Sequence, residues 1–209
     1  MGTSVIEIRG LRTRAGGDTP RGGVSLSVGR GGVHAVLGGR GAGKTSLLET
    51  VAGRRRAVAG SAEVRGGGPA VVWREGGLFP GLTVAEVVDT WRRWTLDPLT
   101  RAEALRLTGL TGRSAVVFER LDAAERRLLD LALALVGRSD VLLLDEPFAG
   151  LDASAAARVR DALRSLADAG TAVLFTTRHF DEACWADGVT VLDAGFRLAG
   201  ISGHEGRAA

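Results

Sequence analysis

The order of hydrophobic and polar residues changes along the chain, and each pattern predicts a different element. Alternation over residues 5–8 and 24–28 predicts two short strands, which we expect to pair as an antiparallel edge. The apolar run over residues 33–37 predicts a buried strand. The run over residues 141–145 is typical of a central parallel strand that is covered on both faces.

Helical periodicity occupies the middle of the chain. Hydrophobic residues recur at helical spacing in residues 83–94, 100–108 and 123–135, which predicts an all-α insertion. Strands and helices are predicted on either side of it, over residues 62–65, 70–73, 153–169, 171–176, 180–186 and 189–192. The predicted fold class is therefore an α/β sandwich with a helical arm.

Composition narrows the class of protein. With 209 residues and 45% hydrophobic content, the chain can bury the core of one domain. The net charge of +3 is small and the main basic tract is residues 54–56, so we expect no nucleic-acid partner. A lone Cys184, no secretory signal and no apolar run of about 18 residues predict a cytoplasmic protein. A role at a membrane would depend on a partner.

The strongest chemical motif contains Lys44, the only lysine in the chain. Residues 38–45, the phosphate loop, read GGRGAGKT and lie between a predicted strand and a predicted helix over residues 44–51. In such a loop the backbone N–H groups and the lysine bind phosphates, and the threonine hydroxyl ligates Mg²⁺. The predicted residues for ATP and Mg²⁺ are Gly38, Gly39, Arg40, Gly41, Ala42, Gly43, Lys44, Thr45 and Ser46. A plain glycine-rich turn is the alternative, which the strand, loop and helix setting disfavours.

A second motif supplies the carboxylates that the phosphate loop lacks. Residues 142–146 read LLLDE. The three leucines belong to the predicted buried strand, which ends at Asp145 and is followed by Glu146. An aspartate at the carboxyl end of such a strand holds Mg²⁺, and the next carboxylate can act as general base on water. The alternative is a core strand followed by a solvated turn.

The segment from residue 142 to residue 152, LLLDEPFAGLD, resembles the corresponding motif of ABC-transporter ATPase subunits. Residues 24–28 and 77–86 are also similar to segments of that family, and the resemblance covers nearly the whole chain. The chain is most similar to drug-exporter-type subunits that are encoded apart from their permease. The resemblance implies a P-loop NTPase core of the RecA-like type, with residues 1–77 and 138–209 as the core and residues 78–137 as a helical subdomain.

The family's residue roles follow from the same resemblance. It implies that Lys44 binds phosphate, that Thr45 and Asp145 hold Mg²⁺, and that Glu146 is the catalytic base. Asp152 would join a dimer interface with a second ATPase subunit, identical or not. The partner in the membrane would be a permease, which places the chain on the cytoplasmic face of the cell membrane as a peripheral subunit.

Three single positions depart from the family pattern. No aromatic residue precedes Trp73, so the adenine-stacking residue expected near Ala15 is absent. Arg74 replaces a glutamine that senses Mg²⁺, and Arg178 replaces a switch histidine. His179 follows directly, but a shift of one residue at a strand end turns the side chain to the other face.

The largest departure is residues 121–125, the signature segment, which in the family binds ATP held by a second subunit. The family's LSGGQ is replaced here by Leu121, Asp122, Ala123, Ala124 and Glu125. Losing a charge-assisted hydrogen bond costs roughly 1.5–3 kcal/mol, and an unpaired carboxylate about 4 Å from a phosphate adds about 4 kcal/mol. Closure on ATP should then weaken by about four orders of magnitude unless the charge is paired. Asp122 is also a good N-cap for a following helix.

Two classes of function remain open at this point. The first is an ATP-binding subunit that hydrolyses Mg·ATP weakly and drives a membrane permease. The second is an interaction or regulatory subunit that binds nucleotide without turnover, a pseudo-ATPase. A DNA-repair or ribosome-acting ATPase is disfavoured because the sequence contains no coiled coil and no second ATPase motif set.

Trp91 and Trp94 have two interpretations, since they lie three residues apart on a predicted helix. They either belong to the core of the helical arm or form an aromatic groove for a helix of the membrane subunit.

The charged replacements also have two interpretations. Arginines near the phosphate loop either pair with acidic residues of the signature segment in a second copy, or reflect drift in an arginine-rich composition. The residues concerned are Arg40, Arg74, Arg178, Asp122 and Glu125.

Overall fold

The computed structural model describes residues 4–13 and 23–192. Its strands are β1 Ser4–Arg12, β2 Val24–Gly29, β3 Val33–Gly38, β4 Ala59–Val64, β5 Ala70–Val72, β6 Val141–Leu144, β7 Ala172–Thr177 and β8 Gly188–Leu192. Its α-helices are α1 Lys44–Val51, α2 Val84–Arg93, α3 Arg101–Leu107, α4 Ala123–Leu135, α5 Ala153–Asp168 and α6 Phe180–Ala183.

The strands form two sheets of different type. β1 pairs antiparallel with β2 on one side and with β4 on the other, so that Ile8 lies opposite both Leu26 and Ala62. The other five strands form a parallel sheet in the order β5-β6-β7-β3-β8. The predicted α/β class with an antiparallel edge is confirmed.

β6 shows why the central strand is a continuous apolar run. Successive side chains of a strand point to opposite faces. Leu142 and Leu144 pack with helices α2 to α5, whereas Val141 and Leu143 pack with α1 and the antiparallel sheet. All four are fully buried, and each contributes about 1.5–3 kcal/mol relative to an exposed position.

Helices α2, α3 and α4 begin in the same way. Each has a residue with an oxygen side chain at the N-cap and a glutamate three residues later, and both hydrogen bonds of the capping box are present. The pairs are Thr83 with Glu86, Thr100 with Glu103, and Asp122 with Glu125. Local sequence therefore fixes where each helix of the insertion starts, and the predicted all-α block is confirmed between β5 and β6.

Some local predictions differ from the structure. The strand predicted over residues 62–65 begins earlier, at Ala59, and the one predicted over residues 70–73 ends one residue earlier, at Val72. β4 joins the antiparallel sheet and β5 the parallel one. α6 ends at Ala183, three residues earlier than predicted. Ala15, where an adenine-stacking residue was expected, lies outside the described residues. No helix in residues 4–13 and 23–192 is long and apolar enough to cross a bilayer.

Candidate functional site

The predicted nucleotide residues lie at the carboxyl ends of adjacent parallel strands. The phosphate loop follows β3, Asp145 follows β6, and Arg178 follows β7, which lies between them. Arg74 comes two residues after β5, beside β6. Because the strands are parallel, all four segments emerge at one edge of the sheet, where ligands of open α/β sheets bind.

The phosphate loop turns around the side chain of Lys44. Its ammonium donates hydrogen bonds to the carbonyls of Gly38 at 2.8 Å and Gly39 at 3.0 Å. Gly41 and Gly43 have φ angles of 81° and 90°, which favour glycine. Lys44 is the first residue of α1 and is only 5% exposed. The loop thus presents a cation and the N-terminus of a helix together, an arrangement that binds phosphate.

The outer side of the phosphate loop is open. A Cβ added at Gly39 or Gly41 would meet no atom within 4 Å, whereas one at Gly38 would lie 2.6 Å from the carbonyl oxygen of Leu192. Gly38 is therefore required by close packing against β8, while the loop beyond it leaves room for a ligand. This geometry fits a polyphosphate chain.

Asp145 is held by two hydroxyl groups. Its Oδ2 accepts a hydrogen bond from Thr45 at 2.9 Å and its Oδ1 accepts one from Thr176 at 2.7 Å. The carboxylate is buried, and a hydroxyl beside a carboxylate is a donor set that suits Mg²⁺. The described residues contain no cluster of three or more His, Cys, Asp or Glu that could hold a metal ion. Mg²⁺ would therefore need phosphate oxygens and water to complete its shell.

Glu146 has an unusual backbone and an unusual environment. Its φ of 45° lies in the left-handed region, which costs a non-glycine residue on the order of 1 kcal/mol or more. The Glu146 N–H donates to the hydroxyl of Thr176 at 3.0 Å, which holds this turn in place. The side chain is 12% exposed and lies 3.4 Å from the Lys44 ammonium. Two arginines complete its surroundings.

Arg74 and Arg178 both approach the same oxygen of Glu146. The Arg178 guanidinium lies 3.2 Å and the Arg74 guanidinium 3.5 Å from Oε2. This oxygen is buried, yet it accepts no hydrogen bond. His179 is exposed at the N-cap of α6, so the residue that reaches the site is Arg178 and not its neighbour.

Arg127 and Asp130 hold the segment that carries Arg74, a role that the sequence did not reveal. The buried Arg127 guanidinium donates to the carbonyls of Trp73 at 2.9 Å and Arg74 at 2.8 Å. The Asp130 carboxylate accepts from the N–H of Gly77 at 3.1 Å. Burial raises the pKa of Asp130, and these contacts offset only part of that cost. The sequence did contain a signal for this role, since Arg127 and Asp130 form a charged pair on the apolar face of α4.

The signature segment forms hydrogen bonds and ion pairs within its own chain. Asp122 accepts from the Glu125 N–H at 2.8 Å, and Glu125 accepts from the Asp122 N–H at 3.0 Å. Asp122 also pairs with Arg158 of α5 at 2.8 Å, and Glu125 with Arg113 at 2.6 Å. The penalty expected for an unpaired Asp122 charge therefore does not apply in full, because both acidic residues have intrachain partners. Ala123 and Ala124 form the first turn of α4.

The hypothesis of arginine–carboxylate pairs between two copies loses its main support. Asp122 and Glu125 already have partners in the same chain, and Arg74 and Arg178 already face Glu146. Pairs between copies would have to replace these contacts, so they would add little net attraction.

Three further predicted residues stand apart from these contacts. Arg40 lies exposed in the phosphate loop, and Ser46 lies in the first turn of α1. Asp152 is the N-cap of α5 and accepts from the Ala155 N–H at 2.8 Å. This contact gives Asp152 a local structural role, whatever its part in an interface.

An aromatic surface lies on the helical arm and consists of Phe79, Trp91 and Trp94. Phe79 contacts Trp91 edge to face at 5.8 Å between ring centres, and Trp91 contacts Trp94 at the same distance. Trp94 is 77% exposed, so of the two interpretations the core does not fit this residue. Leu78 and Leu82 are also exposed beside Phe79 in the chain.

A cleft of about 440 Å³ lies elsewhere, between β2 and β8, and contains none of the predicted nucleotide residues. His34 lines it and bonds to Thr190 at 2.9 Å. Burial lowers the pKa of His34 to about 4, so its imidazole is neutral at pH 7 and serves packing. The chemistry is therefore concentrated at the carboxyl edge of the parallel sheet, not in this cleft.

A family model described as ABC transporter matches residues 22–149 of the chain. A second model, described as an AAA domain, matches residues 124–178.

Curated relatives agree with the family model. A daunorubicin resistance ATP-binding protein of Streptomyces coeruleorubidus is 36% identical over 95% of this chain and 68% of its own length. An aliphatic sulfonates import ATP-binding protein of Nocardia farcinica is 38% identical over 91% of this chain and 78% of its own length.

Solved structures share the fold. An inward-facing transporter of metal-chelate type superimposes with a TM-score of 0.82 at 22% identity, covering 95% of this chain and 84% of that one. A dimeric bacterial ABC transporter cassette superimposes with a TM-score of 0.74 at 17% identity, covering 95% and 100%.

Proposed function

The chain belongs to the ABC transporter family of ATP-binding proteins, and from this premise we propose that it binds Mg·ATP at the open edge of its parallel sheet. The observation that carries the proposal is the convergence of Lys44, the Thr45–Asp145 pair and Glu146 at the ends of two strands, β3 and β6. We further propose that the bound nucleotide drives a separate membrane permease, with weak turnover. Members of this family are ATP-binding subunits, but the ATPase activity and the partner proteins are specific to each member.

The phosphate loop supplies the contacts for nucleotide. Its open outer side accepts the phosphate chain, and the α1 N-terminus with Lys44 supplies the positive potential. Thr45 and Asp145 would hold Mg²⁺, which neutralises developing charge when bound. An aromatic partner for adenine is missing from the sequence before Trp73, so we expect affinity to depend on the phosphates more than on the base.

Glu146 is the proposed general base, and its surroundings explain why turnover should be weak. A base must accept a proton from water in the transition state. In this chain Lys44, Arg74 and Arg178 lie within 3.5 Å of its carboxylate, so these cations occupy the place where a water molecule would have to approach the base. The carboxylate must leave these cations before it can act on water.

The second candidate function is an interaction or regulatory subunit that binds nucleotide without turnover. The signature segment favours it, because Asp122 and Glu125 are engaged in a capping box and two ion pairs. In that arrangement the N-terminus of α4 is filled by its own cap and is not open to a phosphate of a second subunit.

The aromatic surface is the proposed contact with the permease. Exposed aromatic residues are enriched at protein interfaces, and Trp94 and Trp91 lie on the helical arm near the segment that follows Arg74. Similar chains are named for drug resistance and for sulfonate import, so the names do not agree on a direction of transport. The proposal therefore concerns ATP binding and a permease, and assigns no cargo.

Calorimetric titration of the purified chain with Mg·ATP tests the nucleotide proposal. Wild type should bind, Lys44→Ala should bind far more weakly, and the exposed α5 variant Arg160→Ala should bind as wild type. ATP turnover measured with and without the co-purifying permease then separates the two candidate functions. Turnover that rises with the permease and disappears in Glu146→Gln supports the ATPase, and none in either preparation supports the pseudo-ATPase.

A further inference from the structure

Three cations and one buried carboxylate meet at the edge of the phosphate loop. Lys44 lies 3.4 Å from Oε1 of Glu146, while Arg178 and Arg74 lie 3.2 and 3.5 Å from Oε2. Asp145, the adjacent carboxylate, is occupied by two hydroxyl groups. With Asp145 counted as a second anion, the three cations still exceed the carboxylates by one charge, which favours a further anion at this place.

The contacts between Glu146 and the arginines are incomplete. Oε2 is buried and accepts no hydrogen bond, although both guanidiniums lie within ion-pair distance. Within residues 4–13 and 23–192, neither guanidinium donates a hydrogen bond to another group. Each arginine therefore keeps donors for an oxygen-rich ligand, because a guanidinium binds phosphate through paired N–H groups.

We propose that Arg74 and Arg178 recognise the terminal phosphate of a nucleoside triphosphate from within this chain, and that Glu146 is the internal counter-ion that this phosphate displaces. The inference rests on the proposed Mg·ATP site, because Lys44 must contact both the phosphate chain and Glu146. A triphosphate would reach the arginines, whereas a diphosphate lacks the group that they bind. Discrimination between the two nucleotides then needs no second subunit.

The backbone of Arg74 is fixed for this purpose. Arg127 binds the carbonyls of Trp73 and Arg74, and Asp130 binds the N–H of Gly77, so the segment is clamped to α4 on both sides. A clamped backbone limits the entropy lost when the guanidinium binds an anion. Arg178 follows β7 directly and is less exposed than Arg74, at 32% against 51%, so we expect it to contribute more.

The test is calorimetric titration of the full chain with two probes, Mg·ADP and the magnesium complex of the β,γ-imido analogue of ATP. Arg178→Ala should weaken binding of the analogue about tenfold, equivalent to about 1.4 kcal/mol, and Arg74→Ala by several-fold. Both should change ADP binding less than about threefold. Glu146→Gln should tighten binding of the analogue, because the competing charge is gone. Arg160→Ala, an exposed arginine on α5, should change neither.

The outcomes separate this inference from the function on which it rests. Equal loss of ADP and analogue binding in the arginine variants, no loss of either, or weaker analogue binding in Glu146→Gln overturns the inference while Mg·nucleotide binding stands. Binding of neither probe by wild type overturns both. Arg178→Lys keeps the charge but not the paired donors, so intermediate affinity for the analogue supports phosphate recognition by the guanidinium.

Discussion

The phosphate loop and the signature segment both lead into a helix, but the N-terminus of the first helix is open and that of the second is capped. At α1 the first turn has no side-chain cap, and its N-terminus faces an open loop. At α4 the N-terminus is capped by Asp122, and the acidic residues there are paired with Arg158 and Arg113. A helix N-terminus binds phosphate only while its own side chains leave it open. The N-terminus of α1 is therefore available to nucleotide, whereas the N-terminus of α4 is closed.

The same difference explains why the family residue is kept in the phosphate loop and replaced in the signature segment of this arginine-rich chain. The phosphate loop keeps the one lysine because its ammonium must fit between the carbonyls of Gly38 and Gly39. At the signature segment Asp122 supplies the side-chain cap for α4, which is a local structural role.

The largest effect should come from Lys44→Ala. Removing a buried ammonium that contacts phosphates should weaken Mg·ATP binding by a factor on the order of 10³, about 4 kcal/mol. Calorimetric titration measures this loss.

Lys44→Arg is the sharper control for the same site. The guanidinium is planar and too large for the space beside the Gly38 and Gly39 carbonyls, so we expect it not to restore binding. Affinity equal to wild type in Lys44→Arg would contradict the role assigned to this loop.

Glu146→Gln should separate chemistry from binding. General-base residues contribute about 10²-fold or more to rate, so any turnover should fall by at least that factor while Mg·ATP affinity is kept or increased. Phosphate release measures turnover, and Glu119→Gln, an exposed glutamate beside α4, is the matched control. Unchanged turnover in Glu146→Gln would show that the activity has another source.

Opening the signature segment should sharpen the comparison. Replacing Asp122, Ala123, Ala124 and Glu125 with Ser, Gly, Gly and Gln restores donors and removes two anions, so ATP-dependent dimerisation should rise about tenfold or more. The two glycines should lower stability by roughly 1 kcal/mol each. The double variant Asp122→Ser with Glu125→Gln keeps the alanines and isolates the effect of charge. No gain in either variant would mean that the segment does not face ATP.

The smallest effect is on stability. Asp122→Ala removes the N-cap of α4 and should lower the free energy of unfolding by about 1 kcal/mol. Partial burial raises the pKa of Asp122, but the Glu125 N–H and Arg158 outweigh it, so the folded pKa is lowered. A carboxylate whose pKa is lower in the folded state stabilises that state at pH values above its unfolded pKa, near 4. This stabilisation is lost as the pH falls through the folded pKa. Denaturant curves of wild type and variant should differ at pH 7 and approach each other as the pH falls below the unfolded pKa, near 4.

The sequence predicted the parts of the fold and site that depend on local pattern. Helical periodicity placed the three helices of the insertion, and the apolar run of β6 identified a strand buried on both faces. The motifs placed Lys44, Thr45, Asp145 and Glu146 together because parallel strands bring their carboxyl ends to one edge. The pairing of β4 with β1 and of β5 with β6 was missed, because register between distant segments is set by tertiary packing.

The charge partners could not be predicted from the sequence. Asp122 and Arg158 are 36 residues apart, and Arg74 and Glu146 are joined only because β5 lies beside β6. Many arginines could have paired with each carboxylate, so only three-dimensional proximity selects the partner. The sequence could not decide whether Trp94 is exposed for a related reason, since a helical stripe does not show how far the arm extends past the core.

Sedimentation of the Glu146→Gln chain with saturating Mg·ATP tests the central claim most directly, because this variant binds nucleotide without consuming it. The account predicts a nucleotide-bound monomer at tens of micromolar, since the phosphate loop is open and the signature segment is closed. A stable dimer that forms only with Mg·ATP would show that the capped segment still binds phosphate in a second subunit, and would contradict the account.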